Sequence, residues 1–274
     1  YLQDALAAAS SSDEIRVAQG IYRPDQGAGI TLGNRGATFR LIDNVTIRGG
    51  YAGFGEPVPD ARNVARYETV LSGDLAGNDT EVSDSRNLLG EPSRSENSFS
   101  VVTGTDCNET TVLDGFTITG GNANAARQQY KYGGGLHDGN VTLSHCRIVG
   151  NSAYYAGGGV ACYGAGTVTD STISGNAARF GGGLYGVDRI INSTVTGNSA
   201  NQYGGGGIYI LGDDCTVTNC RISNNSTVQN GGGVYVQHCD PTLTRCAIAD
   251  NSASQDGGGV YVDGSTSGGY PEFD

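Results

Sequence analysis

The chain has 274 residues, with 46 glycines, 15 tyrosines and 37% hydrophobic residues; this is too apolar for a disordered chain, and its glycines lack the three-residue period of collagen. Lys+Arg 16 against Asp+Glu 28 leaves a net charge of −12, which argues against nucleic acid and acidic membrane surfaces as partners. No apolar run approaches the length of a membrane span, and no cationic segment followed by an apolar stretch stands at the start. Methionine is missing even at position 1, which is expected of a fragment of a longer, exported precursor.

Residues 1–12 read as an amphipathic capping helix, with Leu2, Ala5, Leu6 and Ala9 at helical spacing. A strand follows at Ile15-Arg16-Val17-Ala18 and stops at Gly20. A helix laid over a first coil covers amides that an open sheet edge would otherwise offer to another strand. Residues 13–110 form irregular early coils with polar loops, and the weakened alternation around Pro57, Pro59 and Pro92 predicts two excursions, roughly 55–68 and 75–98. Within the second, Asp74, Asn78 and Asp79 are candidate Ca²⁺ ligands, although an Asx-rich turn explains them equally; no other cofactor is expected.

Residues 111–262 are regular. A glycine triplet followed by an aliphatic residue begins at Gly133, Gly157, Gly181, Gly205, Gly231 and Gly257, at intervals of 24, 24, 24, 26 and 26 residues, which is the mark of a solenoid. Residues one period apart become neighbours in successive coils. Period-2 alternation then predicts three inward columns: Leu136, Val160, Leu184, Ile208, Val234 and Val260; Leu143, Val168, Ile191, Val217 and Leu243; and Ile148, Ile173, Val195, Ile222 and Ile248. Asn151, Asn176, Asn198, Asn225 and Asn251 recur at a corner that tolerates a left-handed backbone, where their amides can bond along the axis. Residues 263–274 read as a tail without a helical cap, and 1–274 as a single domain.

Several of these stretches carry a resemblance. Leu2-Gln3-Asp4-Ala5-Leu6, Asp13 to Tyr22, Thr46 to Gly53, Thr69 to Asp74 and Leu113 to Asn122 resemble secreted bacterial right-handed parallel β-helix proteins. The alternation of I/V-x-x-N with the glycine phrase is similar to the tandem repeats of chlamydial polymorphic outer-membrane proteins, whose motif has Phe where this chain has Ile or Val. The resemblance implies an all-β, right-handed parallel β-helix, and implies little about function, because one fold carries lyases, hydrolases, adhesins and passenger domains.

Seven cysteines are many for a cytosolic protein and favour an extracellular or cell-surface location. Cys146, Cys162, Cys220 and Cys246 are expected to face inward as small core residues. Cys220 and Cys246 would stack in adjacent coils, close enough to bridge yet equally content as thiols, whereas Cys215 and Cys239 at neighbouring corners are the better surface disulfide. Their spacing matches no metal site, and His137, His145 and His238 read as structural or solvated.

For chemistry, Gly212-Asp213-Asp214-Cys215 resembles the paired-carboxylate motif of polygalacturonase-like hydrolases, which makes Asp213 and Asp214 the candidate acid and base, but the companion motifs are missing and a solvated corner is the simpler reading. A lyase base is no better supplied: Lys131 is the only lysine, and the outward Arg147 and Arg221 gather no carboxylates in sequence. The outward threonines, Thr167 with Thr169 and Thr216 with Thr218 among them, form too broken an array for ice binding. The outward column Tyr185, Tyr209, Tyr235 and Tyr261, preceded by His137 and Ala161, is suited to sugar rings or a protein surface, and equally to cross-coil stacking. The reading is an extracellular structural or adhesive module of a surface protein or fibre, self-associating end to end, with other copies, surface proteins or polysaccharide as partners. The alternative is a lyase or glycoside hydrolase acting on polysaccharide at the outer face.

Overall fold

The computed structural model describes residues 1–127, 131–212 and 215–264 together with the strand Glu272–Phe273. A helix, Leu2–Ala8 (α1), lies against the first strands and buries Leu2 and Leu6. Beyond it the chain winds as a solenoid in which the named strands pair in parallel with the coils before and after. One column shows the winding: Ile15 pairs with Ile47, Ile47 with Leu113, Leu113 with Leu143, and Val168, Ile190, Val217 and Leu243 follow in turn. The triplet column begins earlier than the glycine phrase, with Phe39 and Val102 in register beneath Leu136. Each large aliphatic side chain in these columns contributes about 1.5–3 kcal/mol on burial.

Four findings refine the expected coil. The inward residue at the second column is Ile190, fully buried, and Ile191 faces outward, because that coil is three residues shorter than the one before it and Val168 pairs with Ile190. The left-handed residues precede the asparagines: Gly150, Gly175, Gly197, Asn224 and Asp250 have φ of 55–64°. A further short strand follows each asparagine, as at Ser152–Ala153, Ala177–Ala178 and Ser199–Ala200, and these form a sheet of their own. Three excursions, rather than two, leave the early coils: one between Tyr22 and Phe39, one between Tyr51 and Thr69, and one between Ser72 and Val102. The last folds back over the solenoid, where Leu88 is buried and Ser85 Oγ donates to Gly197 O at 3.0 Å.

The asparagine ladder forms as the repeat predicts. Each Nδ2 donates to the Oδ1 of the next asparagine, from Asn151 to Asn176 (3.1 Å), Asn176 to Asn198 (3.0 Å), Asn198 to Asn225 (2.9 Å) and Asn225 to Asn251 (3.0 Å). The same Oδ1 accepts the preceding asparagine's backbone N–H, so the turn's buried polar groups are satisfied between coils. At the far end Glu272–Phe273 pair with Thr242–Thr244 and extend the first sheet.

Candidate functional site

The strand after each glycine triplet turns its aliphatic residue inward and the next residue outward, and parallel register stacks those outward residues: His137, Ala161, Tyr185, Tyr209, Tyr235 and Tyr261. Ring centroids are 5.4 Å apart for Tyr185–Tyr209, 4.7 Å for Tyr209–Tyr235 and 5.3 Å for Tyr235–Tyr261. The turn before each triplet adds more rings. Phe180 stacks on Tyr203 at 4.1 Å and meets Tyr185 and Tyr209 edge-on, while Tyr132 and Tyr163 extend the cluster toward His137. Gly204 occupies the position of Phe180 one coil later, and a methyl group there would enter the Tyr235 ring. The column is legible in the sequence, but Tyr132, Tyr155, Tyr163, Phe180 and Tyr203 are not, because those residues do not recur with the period.

The strip has a covered part and an open margin. Within the column Tyr209 is covered by Tyr185 and Tyr235 and is only 3% exposed, whereas Tyr185, Tyr235 and Tyr261 are partly exposed. Tyr163 and Tyr203, 54% and 38% exposed, present aromatic surface to solvent at its margin. Burial pushes the Tyr185 phenol up to about 12, with Tyr132 and Tyr155 adding to it. Burial likewise raises Tyr209 and, with the hydrogen bond from its hydroxyl to Asp263 Oδ2 (2.8 Å), Tyr235, so the strip is uncharged at neutral pH. Tyr209→Ala is expected to cost about 3–5 kcal/mol in denaturant unfolding, as for a buried aromatic. Tyr163→Ala, at an exposed site, should cost less than about 1 kcal/mol in the same measurement.

The excursion between Ser72 and Val102 places Asp74 and Asp79 together, and joins to them Glu96, which the sequence did not single out; the three carboxylates each offer an oxygen within 4.8 Å of the others. Asn78 contributes its backbone N–H to Asp74 Oδ1 (3.1 Å), as Gly77 does at 2.7 Å. Burial raises the Asp79 carboxyl above its ordinary range, against the lowering pull of the Asn97 amide and Arg94. Arg94, 4% exposed, lies with Nη1 3.2 Å from Asp79 Oδ2.

A family model described as a right-handed β-helix region matches residues 136–269, just under half the chain. That match covers the coils whose register is set out above. The chain is a right-handed parallel β-helix. No curated protein and no solved structure matches it.

On another face of the β-helix, three coils meet at Asp114. Its carboxylate lies 2.9 Å from Arg62 Nη2, 3.8 Å from Arg48 Nε and 3.1 Å from His145 Nδ1. His145 lines an open hollow of about 520 Å³ together with Glu68, Arg147 and Asp170. So the outward Arg147 does have carboxylates near it, which linear sequence could not show because they come from different coils and from the excursion before Thr69. His145, read as structural or solvated from sequence, has a carboxylate partner.

All seven cysteines of the β-helix are thiols. Cys215 and Cys239, expected as a surface bridge, are instead buried at 1% exposure, because their corner turns into the core. Cys146 and Cys162 are buried too, and burial pushes their thiols up to about 11 and about 12. Cys220 and Cys246 stand in successive coils, and the closeness of the two thiols lowers Cys246 and raises Cys220. Cys246 is also the one not fully buried. Brief alkylation of the folded protein, followed by peptide mass analysis, should modify Cys246 first, at a pH below the ordinary thiol range, and leave Cys146, Cys162 and Cys215 untouched. Uniform labelling would contradict this. Asp213 and Asp214, the candidate acid and base, lie outside the described residues.

Proposed function

We propose that the chain is a structural or adhesive module of an extracellular surface, which holds a polysaccharide or surface-protein partner against the margin of its aromatic strip. The observation that carries this reading is the continuous set of ring contacts from Tyr132 to Tyr261, with Tyr163 and Tyr203 left exposed beside it. A rigid solenoid suits such a role, since stacked coils hold the rings at fixed spacing and little ordering entropy is lost on contact. The likeness of its tandem phrases to polymorphic outer-membrane protein repeats agrees with a surface location. End-to-end association has less support, because α1 covers the amino-terminal coil. Incubation with insoluble polysaccharides and with protein-coated beads tests the reading: the protein should be depleted from solution by at least one surface, and depletion by none would contradict it.

A second reading, a polysaccharide-active enzyme, is favoured by the Asp114–His145 pair at the hollow that Glu68, Arg147 and Asp170 share. A carboxylate that holds one imidazole nitrogen leaves the other to move a proton, and an arginine nearby suits an acidic sugar. Release of reducing ends or unsaturated uronates from a polysaccharide panel, lost in His145→Ala, would establish that reading over the first.

A further inference from the structure

We propose that the excursion between Ser72 and Val102 is a binding site for one divalent cation of the calcium class, with Asp74, Asp79 and Glu96 as carboxylate ligands and the side-chain oxygen of Asn97 beside them. The carboxylates alone would not carry this, since acidic groups often cluster at a surface. The deciding feature is what stands behind them. Asn97 is 0% exposed, and its amide is aimed into the cluster, with Nδ2 2.9 Å from Asp79 Oδ2. That Nδ2 also donates to Gly120 O at 2.7 Å, which fixes the orientation of the amide and leaves its Oδ1 with no hydrogen-bond partner. Asp79 Oδ1 and Glu96 Oε1 are likewise buried and without a partner.

Three buried oxygens lacking donors, two of them on carboxylates, would be costly without compensation. Among the described residues Arg94 makes the single ion pair of the cluster, to Asp79, while Arg35 interacts with Glu96 only at longer range. One guanidinium, paired with one of three carboxylates, leaves room for a divalent charge. All the ligand atoms are hard oxygens, and a set drawn wholly from the protein suits a calcium-class cation better than magnesium, which usually keeps several of its waters. The N–H groups of Gly77, Asn78 and Asp79 already hold the Asp74 carboxylate in place, so little rearrangement is needed. A cation here would clamp the root of the excursion whose far end reaches Gly197.

The test is calorimetric titration of the EDTA-treated full chain with calcium chloride and, separately, magnesium chloride, alongside limited proteolysis with the cuts mapped. The expected result is one calcium per chain with Kd on the order of 10⁻⁵ M, clear preference over magnesium, and protection of residues 75–97 from cleavage when calcium is added. Glu96→Gln should weaken calcium binding at least about tenfold, as expected for loss of a charged ligand. Because Glu96 Oε1 makes no hydrogen bond, this variant should fold; if it does not, Asp79→Asn is titrated in its place, and the wild-type cleavage map still decides. Absence of saturable calcium binding, equal affinity for magnesium, unchanged binding in a folded variant, or calcium protection confined to another segment would each overturn the proposal.

Discussion

Gly182→Ala is expected to destabilise the protein by about 3 kcal/mol or more, at the upper end for overpacking, because the atoms in the way are backbone. A methyl group at this middle glycine of a triplet would press on the Ser199 carbonyl and lie 2.6 Å from Gly206 O in the next coil. Neither can retreat. Gly182 N–H donates to Gly205 O at 3.1 Å and Gly182 O accepts from Gly159 N–H at 3.3 Å, so displacement loosens three successive coils. Gly175 provides the contrast, with φ of 60° and only open space where a methyl group would stand. Gly175→Asn, which copies the Asn224 of an equivalent turn, should stay within about 0.5 kcal/mol of wild type. Denaturant midpoints measured side by side check both, and a Gly182→Ala variant as stable as Gly175→Asn would contradict the close approach of the coils.

Asn176→Ala should cost about 3–5 kcal/mol, since it removes one link of a buried network and leaves its neighbours without partners. Asn176 is fully buried, and its Oδ1 accepts from the Asn151 backbone N–H (2.9 Å) while its Nδ2 donates to Ile148 O (3.0 Å). Water cannot replace those bonds at a site closed on both sides by other coils. Asn176→Asp should be pH-sensitive. Its carboxylate would face Ile148 O and Asn198 Oδ1, so the folded-state pKa rises above the unfolded value of about 3.9. Stability is then greatest below that unfolded value, where the neutral acid can donate, and is lost as the pH rises through the folded pKa. Urea unfolding at acidic and neutral pH gives the sign, and a variant more stable at neutral pH would refute the ladder's hydrogen-bond direction.

The repeat made the fold legible because a solenoid writes its contacts into the sequence at one spacing. The intervals between glycine triplets are the intervals between paired residues, from Leu136 with Val160 to Val234 with Val260. The error at Ile191 arose where a coil shortened next to two adjacent isoleucines, since either satisfies an alternating pattern. The Ser–Ala strands were missed because two small residues show no amphipathic period. Phe39 and Val102 sit in early coils that have the register but not the glycine phrase.

The sites were harder to read for the opposite reason. Glu96 joins Asp74 and Asp79 across a loop, His145 finds Asp114 one coil away, and Phe180 finds Tyr203. None of these partners recurs, so only the winding of the chain brings them together. The tyrosine column was visible, yet Tyr209 is buried among its neighbours, and the more exposed rings beside the column are the non-recurring Tyr163 and Tyr203.

The measurement that tests the account most directly compares wild type with Tyr163→Ala/Tyr203→Ala on whichever surface retains the wild-type protein. The account predicts at least about tenfold weaker retention, of the order seen for loss of exposed aromatic anchors, with little change in the unfolding midpoint. Undiminished retention by the folded double variant would contradict it and move the contact surface away from the aromatic strip.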